Sequence, residues 1–248
     1  MTSATRVSVI GVLLIGVLSL PVRASAQARP PIADQIAQTY GFGSWSQVDA
    51  VRFTFALDGG PKLRFHRSWI WEPKLDQITY DGPDKDGKPI KVTYKRSELA
   101  KQSDFVKTQV DPGFFNDSYW LLFPFHMIWD TGATITDAGK KKMPSGKGSA
   151  RNVVVQYPSD GGFTPGDTWS LFVGPDNRIQ ELAFKHGGAA KPGVVFHANP
   201  RVIPTRDGHI HIQNCAFEGN FGKVRRYAFD PERLGPDVQV DGKSLRGD

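Results

Sequence analysis

The sequence contains a single cysteine, Cys215, and this excludes an intramolecular disulfide bond. A chain of this length can bury enough apolar surface to fold without disulfides. Cys215 lies between Asn214 and Ala216 in a run that is typical of a strand. This setting favours a small buried side chain over a reactive thiol.

The sequence also lacks the usual catalytic signatures. It has no Gly-x-Ser-x-Gly elbow, and no predicted strand precedes Gly41-Phe42-Gly43, so this triplet is not a phosphate-binding loop. Aspartate and glutamate occur mostly in turns, where Asp-Gly pairs have a structural role. We therefore expect no enzyme activity and predict no cofactor.

No long segment of the sequence carries charges of only one sign. The formal net charge is +6, and basic residues alternate with acidic ones along most of the sequence. This pattern indicates a mixed solvated surface and argues against nucleic acid as a partner. The densest basic run, Lys140-Lys141-Lys142, lies among glycine, proline and serine, so we predict a solvated loop rather than a contact with an anion or a membrane surface.

The N-terminal segment predicts export. Arg6 precedes an apolar stretch at 7–20, and Ala24-Ser25-Ala26 has the small-x-small pattern of a cleavage site. The apolar stretch is shorter than the roughly 20 residues that a membrane-spanning helix needs. We predict a secretory signal peptide at 1–26, cleaved near Ala26, a periplasmic location and no membrane span in the mature chain.

The periodicity of apolar residues predicts a mainly β fold. A short helix is expected at 31–40, and alternating runs predict antiparallel strands at 51–57, 63–71, 77–80 and 90–94. A second group of strands is expected at 153–157, 169–173, 179–185, 194–198, 202–205, 209–216 and 224–229. We predict a single domain at 27–230 and a weakly structured tail at 231–248.

The centre of the chain is predicted to be helical. Ser97 is placed to cap a helix that runs to about Val110, and Asp111-Pro112-Gly113 should stop it. Asn116 is placed to cap a second, short helix that ends at Pro124. The segment 116–130 is dense in aromatic side chains, which require a large apolar partner, either the protein's own core or a hydrophobic ligand.

Three segments together resemble exported proteins of the lipoprotein-carrier (LolA-like) superfamily. They are Arg67-Ser68-Trp69-Ile70-Trp71, the segment 116–125, and Thr164 to Trp169 leading into a Gly-Pro-Asp-Asn hairpin. The resemblance covers roughly 31–229. It implies a curved antiparallel sheet that forms an unclosed half-barrel, with helices packed on or plugging the concave face. It also implies a hydrophobic ligand or an acylated lipoprotein as the partner.

The chain departs from the superfamily in two respects. No lipobox cysteine comes after the apolar stretch, and the central aromatic run is denser than expected for a dedicated lipoprotein chaperone. The resemblance therefore does not identify the cargo. It predicts a soluble periplasmic carrier or binding protein for a lipid-like or acylated ligand.

A half-barrel of this kind would bind its ligand with apolar wall residues and a helical cover. The predicted wall residues are Phe53, Phe55, Phe65, Trp69, Trp71 and Trp169, and the predicted cover residues are Tyr119, Trp120, Leu122, Phe123, Phe125 and Trp129. The alternative is that these residues pack against each other as a closed core.

Two other functions stay open at this stage. His209 and His211 share one face of a predicted strand at a spacing found in some zinc and copper sites, which would suit a metal-dependent enzyme. Alternation of polar histidine with Ile210 and Ile212 explains the same pattern without a metal. The chain could also be an envelope protein-interaction module that uses the exposed edge of a sheet.

Overall fold

The structure is a computed structural model that describes residues 29–58, 64–162, 164–190, 194–203, 212–219, 226–228, 237–240 and 243–244. The predicted signal peptide at 1–26 lies outside these residues, and so do His209 and His211. The side chain of Phe65 also lies outside the described part of the chain.

Two α-helices and thirteen strands form within the described residues. The helices are α1 (Pro31–Thr39) and α2 (Asp111–Trp129). The strands of the first half are β1 (Ala50–Asp58), β2 (Arg64–Glu72), β3 (Gln77–Pro83), β4 (Pro89–Lys95), β5 (Thr134–Lys142) and β6 (Ser149–Gln156). The remaining strands are β7 (Thr168–Val173), β8 (Ile179–Lys185), β9 (Val194–Ile203), β10 (Ile212–Gly219), β11 (Arg226–Ala228), β12 (Asp237–Val240) and β13 (Lys243–Ser244).

The strands form two antiparallel sheets, neither of which closes into a barrel. The first has the order β13-β12-β1-β2-β3-β4, with β11 paired to the far end of β1, and the second has the order β10-β9-β8-β7-β6-β5. The sheets approach each other where β10 lies beside β11. The predicted fold class, a mainly β unclosed antiparallel structure with packed helices, is confirmed, with the hydrogen bonding divided between two sheets.

The alternation in β1 and β2 sets which side chains reach the interior. Val51, Phe53 and Phe55 are buried, whereas Arg52 between them is exposed. Phe53 stands opposite Trp69 in the register of the two strands. Because successive side chains of a strand point to opposite faces, this register places Trp69 and Trp71 on the same face as Phe53, and α2 packs against that face.

Helix α2 is longer than predicted, and this corrects two sequence-based boundaries. A π-helical turn at Val106–Val110 leads directly into it, so Asp111-Pro112-Gly113 begins the helix instead of stopping one. A proline in the first turn is tolerated because that position needs no donor. Asn116 accordingly lies inside the helix and does not cap it.

Pro124 bends α2 but does not end it. The backbone leaves helical geometry at Leu122, where φ is −112° and ψ is 22°, and the helix then continues to Trp129. Proline removes one intrahelical hydrogen bond, but every side chain from Leu121 to Met127 is buried, so tertiary packing holds the second half in place. Even so, no helix within the described ranges has both the length and the apolar character needed to cross a bilayer.

Strand β5 corrects the prediction of a solvated loop at Lys140-Lys141-Lys142. These lysines are exposed, and they lie on the edge strand of the second sheet, where Lys140 and Lys141 pair with Arg151 and Ala150 of β6. Exposed lysines on an edge strand discourage pairing with another chain. The loop prediction was wrong because β5 has few buried apolar residues to mark it as a strand.

The predicted tail at 231–248 also contains strand structure. β12 pairs with Ala50–Arg52 of β1, and β13 pairs with β12. β11 pairs with β1 only at Ala56–Asp58, which leaves the first part of β1 available to β12.

Candidate ligand site

Helix α2 lies between the two sheets and contacts both through aromatic side chains. Phe114 packs edge-on against Trp69 and Trp71 of β2, with both ring centroids 5.5 Å away. On the other side, Trp169 of β7 lies 4.0 Å from Phe123 in a stacked arrangement and 4.6 Å from Trp120. Because aromatic pairs add to the free energy of area burial, these contacts fix the helix between the sheets.

The buried carboxylate of Asp117 ties α2 to the first sheet. Its side chain is fully buried, and Arg67 donates to both of its oxygens, from Nε at 2.8 Å and from Nη2 at 2.5 Å. Trp69 Nε1 and Asn116 Nδ2 donate to the same carboxylate at 2.9 Å each. Burial raises the pKa of Asp117, and the donors, above all Arg67, oppose that rise.

Asp111 makes a second tie to the first sheet. Its Oδ1 accepts hydrogen bonds from the Tyr94 hydroxyl at 2.9 Å and from Arg96 Nε at 3.0 Å. Burial, together with the negative charge of Asp111, raises the pKa of Tyr94 well above its ordinary value. The carboxylate stands in the first turn of α2, where a negative charge stabilises the helix dipole.

Asp130, just after α2, makes the tie to the second sheet. Its Oδ2 accepts hydrogen bonds from the hydroxyls of Tyr119 and Tyr157, the latter at 2.9 Å, and its Oδ1 lies 3.3 Å from His126 Nδ1. Burial acts to raise the pKa of Asp130, but hydrogen bonds with His126 and the two tyrosines outweigh it and lower the pKa. The Tyr119 ring stacks on His126 with a centroid separation of 3.8 Å.

Two neighbouring cavities open beside α2. The Trp169 cavity has a volume of about 300 Å³ and is lined by Pro112, Phe115, Asn116, Tyr119, Trp120, Thr164, Asp167, Trp169, Phe184 and His186. The Asp130 cavity has a volume of about 310 Å³ and is lined by Phe115, Tyr119, Asp130, Gly132, Ala133, Tyr157, Pro158, Asp160, Gly161, Gly162 and Thr164. Phe115, Tyr119 and Thr164 line both, so the two cavities adjoin at these residues.

The Trp169 cavity is mostly aromatic with a few polar groups. The Gly187 amide donates to Asp167 Oδ1 at 2.8 Å, and His186 Nδ1 lies 2.9 Å from the same oxygen. Trp169 is different, because its Nε1–H is buried and has no hydrogen-bond partner within the described structure. A buried donor without a partner is costly, and an acceptor on a ligand in this cavity would satisfy it if it reached the indole.

The structure divides the predicted site residues into two groups. Tyr119, Trp120 and Trp169 line the cavities. Eight others do not line them: Phe53, Phe55, Trp69, Leu122, Phe123 and Phe125 are buried in the core, and Trp71 and Trp129 are half-buried beside Trp45. The twelfth, Phe65, has a side chain outside the described part of the chain. Some of the predicted residues therefore line cavities, and others pack in the core.

Several cavity residues were not identified from the sequence. They include Phe115, Asp130, Tyr157, Thr164 and Phe184. Phe184 could have been identified from the predicted hairpin, because it pairs with Trp169 in the register of β7 and β8. The role of Asp130 depends on Tyr157, which lies 27 residues later and carries no local signal of that contact.

The alternative metal site stays a prediction, since His209 and His211 lie outside the described residues. Within the described ranges, no group of three or more histidine, cysteine, aspartate or glutamate side chains is arranged to hold a metal ion.

Comparison with known proteins adds no assignment. Neither a scan against the models of protein families nor a search of curated proteins found a match. The function must therefore be inferred from the residues of the site itself.

Proposed function

We propose that this protein is a periplasmic carrier or binding protein for a lipid-like or acylated hydrophobic ligand. The observation that carries the proposal is the pair of adjacent aromatic cavities that share Phe115, Tyr119 and Thr164. Each has a volume at the lower end of the range for ligand pockets, which are mainly apolar with a few polar groups. The predicted signal peptide supports the periplasmic location.

The energetics favour a ligand with an apolar chain and a polar anchor. Burying ten methylene groups contributes about 8 kcal/mol. Association costs at least about 4 kcal/mol, so the remaining 4 kcal/mol or so corresponds to a dissociation constant near 1 mM. Tighter binding requires further contacts, which the partly exposed carboxylate of Asp130 is available to make.

Trp120 was predicted to form part of a helical cover, and in this proposal it forms part of a cavity wall. Trp120 packs against Trp169 and Phe184 and is only 7% exposed, so replacing it would damage the core as well as the site. Phe115 and Thr164 are half-buried and line both cavities, which makes them better positions at which to control access.

Native mass spectrometry of protein purified from the periplasm without detergent, beside a lipid extract of the same sample, tests the proposal directly. A bound species of lipid mass supports it. Clean apoprotein that also binds neither added fatty alcohol nor a fluorescent apolar probe would contradict it and favour a closed core.

A cavity-filling variant locates the binding site. Thr164→Trp should occlude both cavities and lower the affinity for an apolar probe at least tenfold. Thr136→Trp is the matched control, because Thr136 is exposed on β5 and lines neither cavity. Equal loss of binding in the two variants would mean that the ligand does not enter these cavities.

A further inference from the structure

We infer that the ligand is a cationic amphiphile whose positively charged group lies in the Asp130 cavity and whose apolar chain extends past Phe115 and Tyr119 into the Trp169 cavity. This inference rests on the proposed function and specifies the chemical class of its ligand. It depends on the charges and the aromatic rings that line the two cavities.

The charged lining of the cavities is acidic. Asp130 and Asp160 line one cavity and Asp167 lines the other, whereas no lysine or arginine is among the lining residues that the structure describes. This contrasts with the net charge of +6 for the chain as a whole. An anionic head group would meet repulsion here, and an amine or quaternary ammonium would meet attraction.

The carboxylate of Asp130 is held in its charged form for this role. The hydroxyls of Tyr119 and Tyr157 both donate to Oδ2, and hydrogen bonding lowers the pKa of Asp130 despite its burial. A carboxylate has about four acceptor sites, and these contacts use three of them at most. The side chain is 27% exposed, so a ligand has access to it.

Aromatic rings around the same cavity add a second attraction for a cation. Phe115, Tyr119 and Tyr157 line the Asp130 cavity, and the faces of aromatic rings attract positive charge, as in the cages that recognise quaternary ammonium groups. Arg96 already lies over the Phe115 ring at 4.1 Å, and its charge is matched by Asp111 at 3.0 Å.

Two histidines contact carboxylates that line the cavities. His126 contacts Asp130, and His186 lines the Trp169 cavity and contacts Asp167. The three ligands should therefore all be compared in one buffer at one pH.

The experiment compares three ligands with the same dodecyl chain: dodecyltrimethylammonium, dodecanol and dodecanoate. The two ionic ligands are titrated into the mature protein below their micelle concentrations and dodecanol below its solubility limit, and binding is followed by calorimetry. The expected result is at least tenfold tighter binding of the cation than of dodecanoate. Asp130→Asn should reduce this ratio at least threefold, whereas Asp34→Asn, at an exposed carboxylate that lines neither cavity, should leave it unchanged.

The outcomes separate this inference from the proposed function. Similar affinity for all three ligands, or a preference for dodecanoate, would overturn the cationic assignment and leave the binding function intact. No binding of any ligand would overturn the proposed function itself. If Asp130→Asn does not fold, Asp160→Asn replaces it, because Asp160 is exposed and lines the same cavity, and an unchanged ratio in that variant would contradict the inference.

Discussion

Replacing Asp117 by alanine should destabilise the fold by about 3–5 kcal/mol, because the change leaves a partly buried positive charge without its counter-charge. Arg67 is only 23% exposed, and it would lose both hydrogen bonds to the carboxylate. The indole Nε1–H of Trp69 would lose its acceptor as well. For a domain of this size, about 1 kcal/mol shifts the melting temperature by roughly 2–4 °C.

The chain contains a matched control for this prediction. Arg151 donates to Asp137 from two nitrogens, at 3.1 and 2.7 Å, much as Arg67 does to Asp117, but the Arg151 and Asp137 side chains are 47% and 30% exposed. Exposed ion pairs contribute about 0–1 kcal/mol. Asp137→Ala should therefore cost at most about 1 kcal/mol.

Urea unfolding followed by tryptophan fluorescence measures both variants under the same conditions. A double variant, Asp117→Leu with Arg67→Met, should recover part of the stability lost in Asp117→Ala, because replacing both members of a buried ion pair removes the uncompensated charge. The reasoning would be refuted if Asp117→Ala and Asp137→Ala lost the same free energy of unfolding.

Two further predictions concern Asp130 and Gly187. The pKa of Asp130 is lowered in the folded protein from its ordinary value of 3.8, so the stability it contributes is present above about pH 4 and is lost as pH falls through the folded pKa. As the pH is lowered from about 4 to about 2, the free energy of unfolding of Asp130→Asn should therefore fall less steeply than that of the wild type. Parallel plots of the free energy of unfolding against pH for the two proteins would contradict this. A Cβ atom on Gly187 would lie 2.2 Å from the backbone oxygen of Pro165, so Gly187→Ala should cost about 1–3 kcal/mol. In the control Gly132→Ala, the nearest atom would be 3.8 Å away, and equal melting temperatures for the two variants would show that the loop at Gly187 relaxes freely.

Strands with a regular alternation of apolar and polar residues could be predicted from the sequence. In β1 and β2 the buried positions include Val51, Phe53 and Trp69, as the period of two requires. Strand β5 could not be predicted in this way, because Ile135 is its buried hydrophobic residue and the rest of the strand is polar or exposed. Its position at the edge of a sheet depends on pairing with β6, which the local composition does not indicate.

The continuity of α2 could not be predicted, because Pro112 starts the helix where a stop was expected and Pro124 is a local stop signal that tertiary packing overrides. The aromatic character of the site was evident from the sequence, and Tyr119, Trp120 and Trp169 do line the cavities. The sequence could not separate them from the core aromatics. That separation depends on where the two sheets leave space beside the helix, which is a property of the whole fold.

We expect the contacts of the α2 carboxylate Asp117 to form late in the folding reaction. Asp117 must meet Arg67 and Trp69, which lie 50 and 48 residues earlier in the chain. Contacts between residues far apart in sequence form slowly, because the chain must lose entropy before it gains the contact energy. We therefore expect the amides of α2 to become protected in pulsed hydrogen exchange later than those of the β7–β8 hairpin, with simultaneous protection as the contrary result. Until that step is complete, the aromatic side chains of α2 lack the strands that cover them, so we expect this helix to be prone to aggregation while the protein folds.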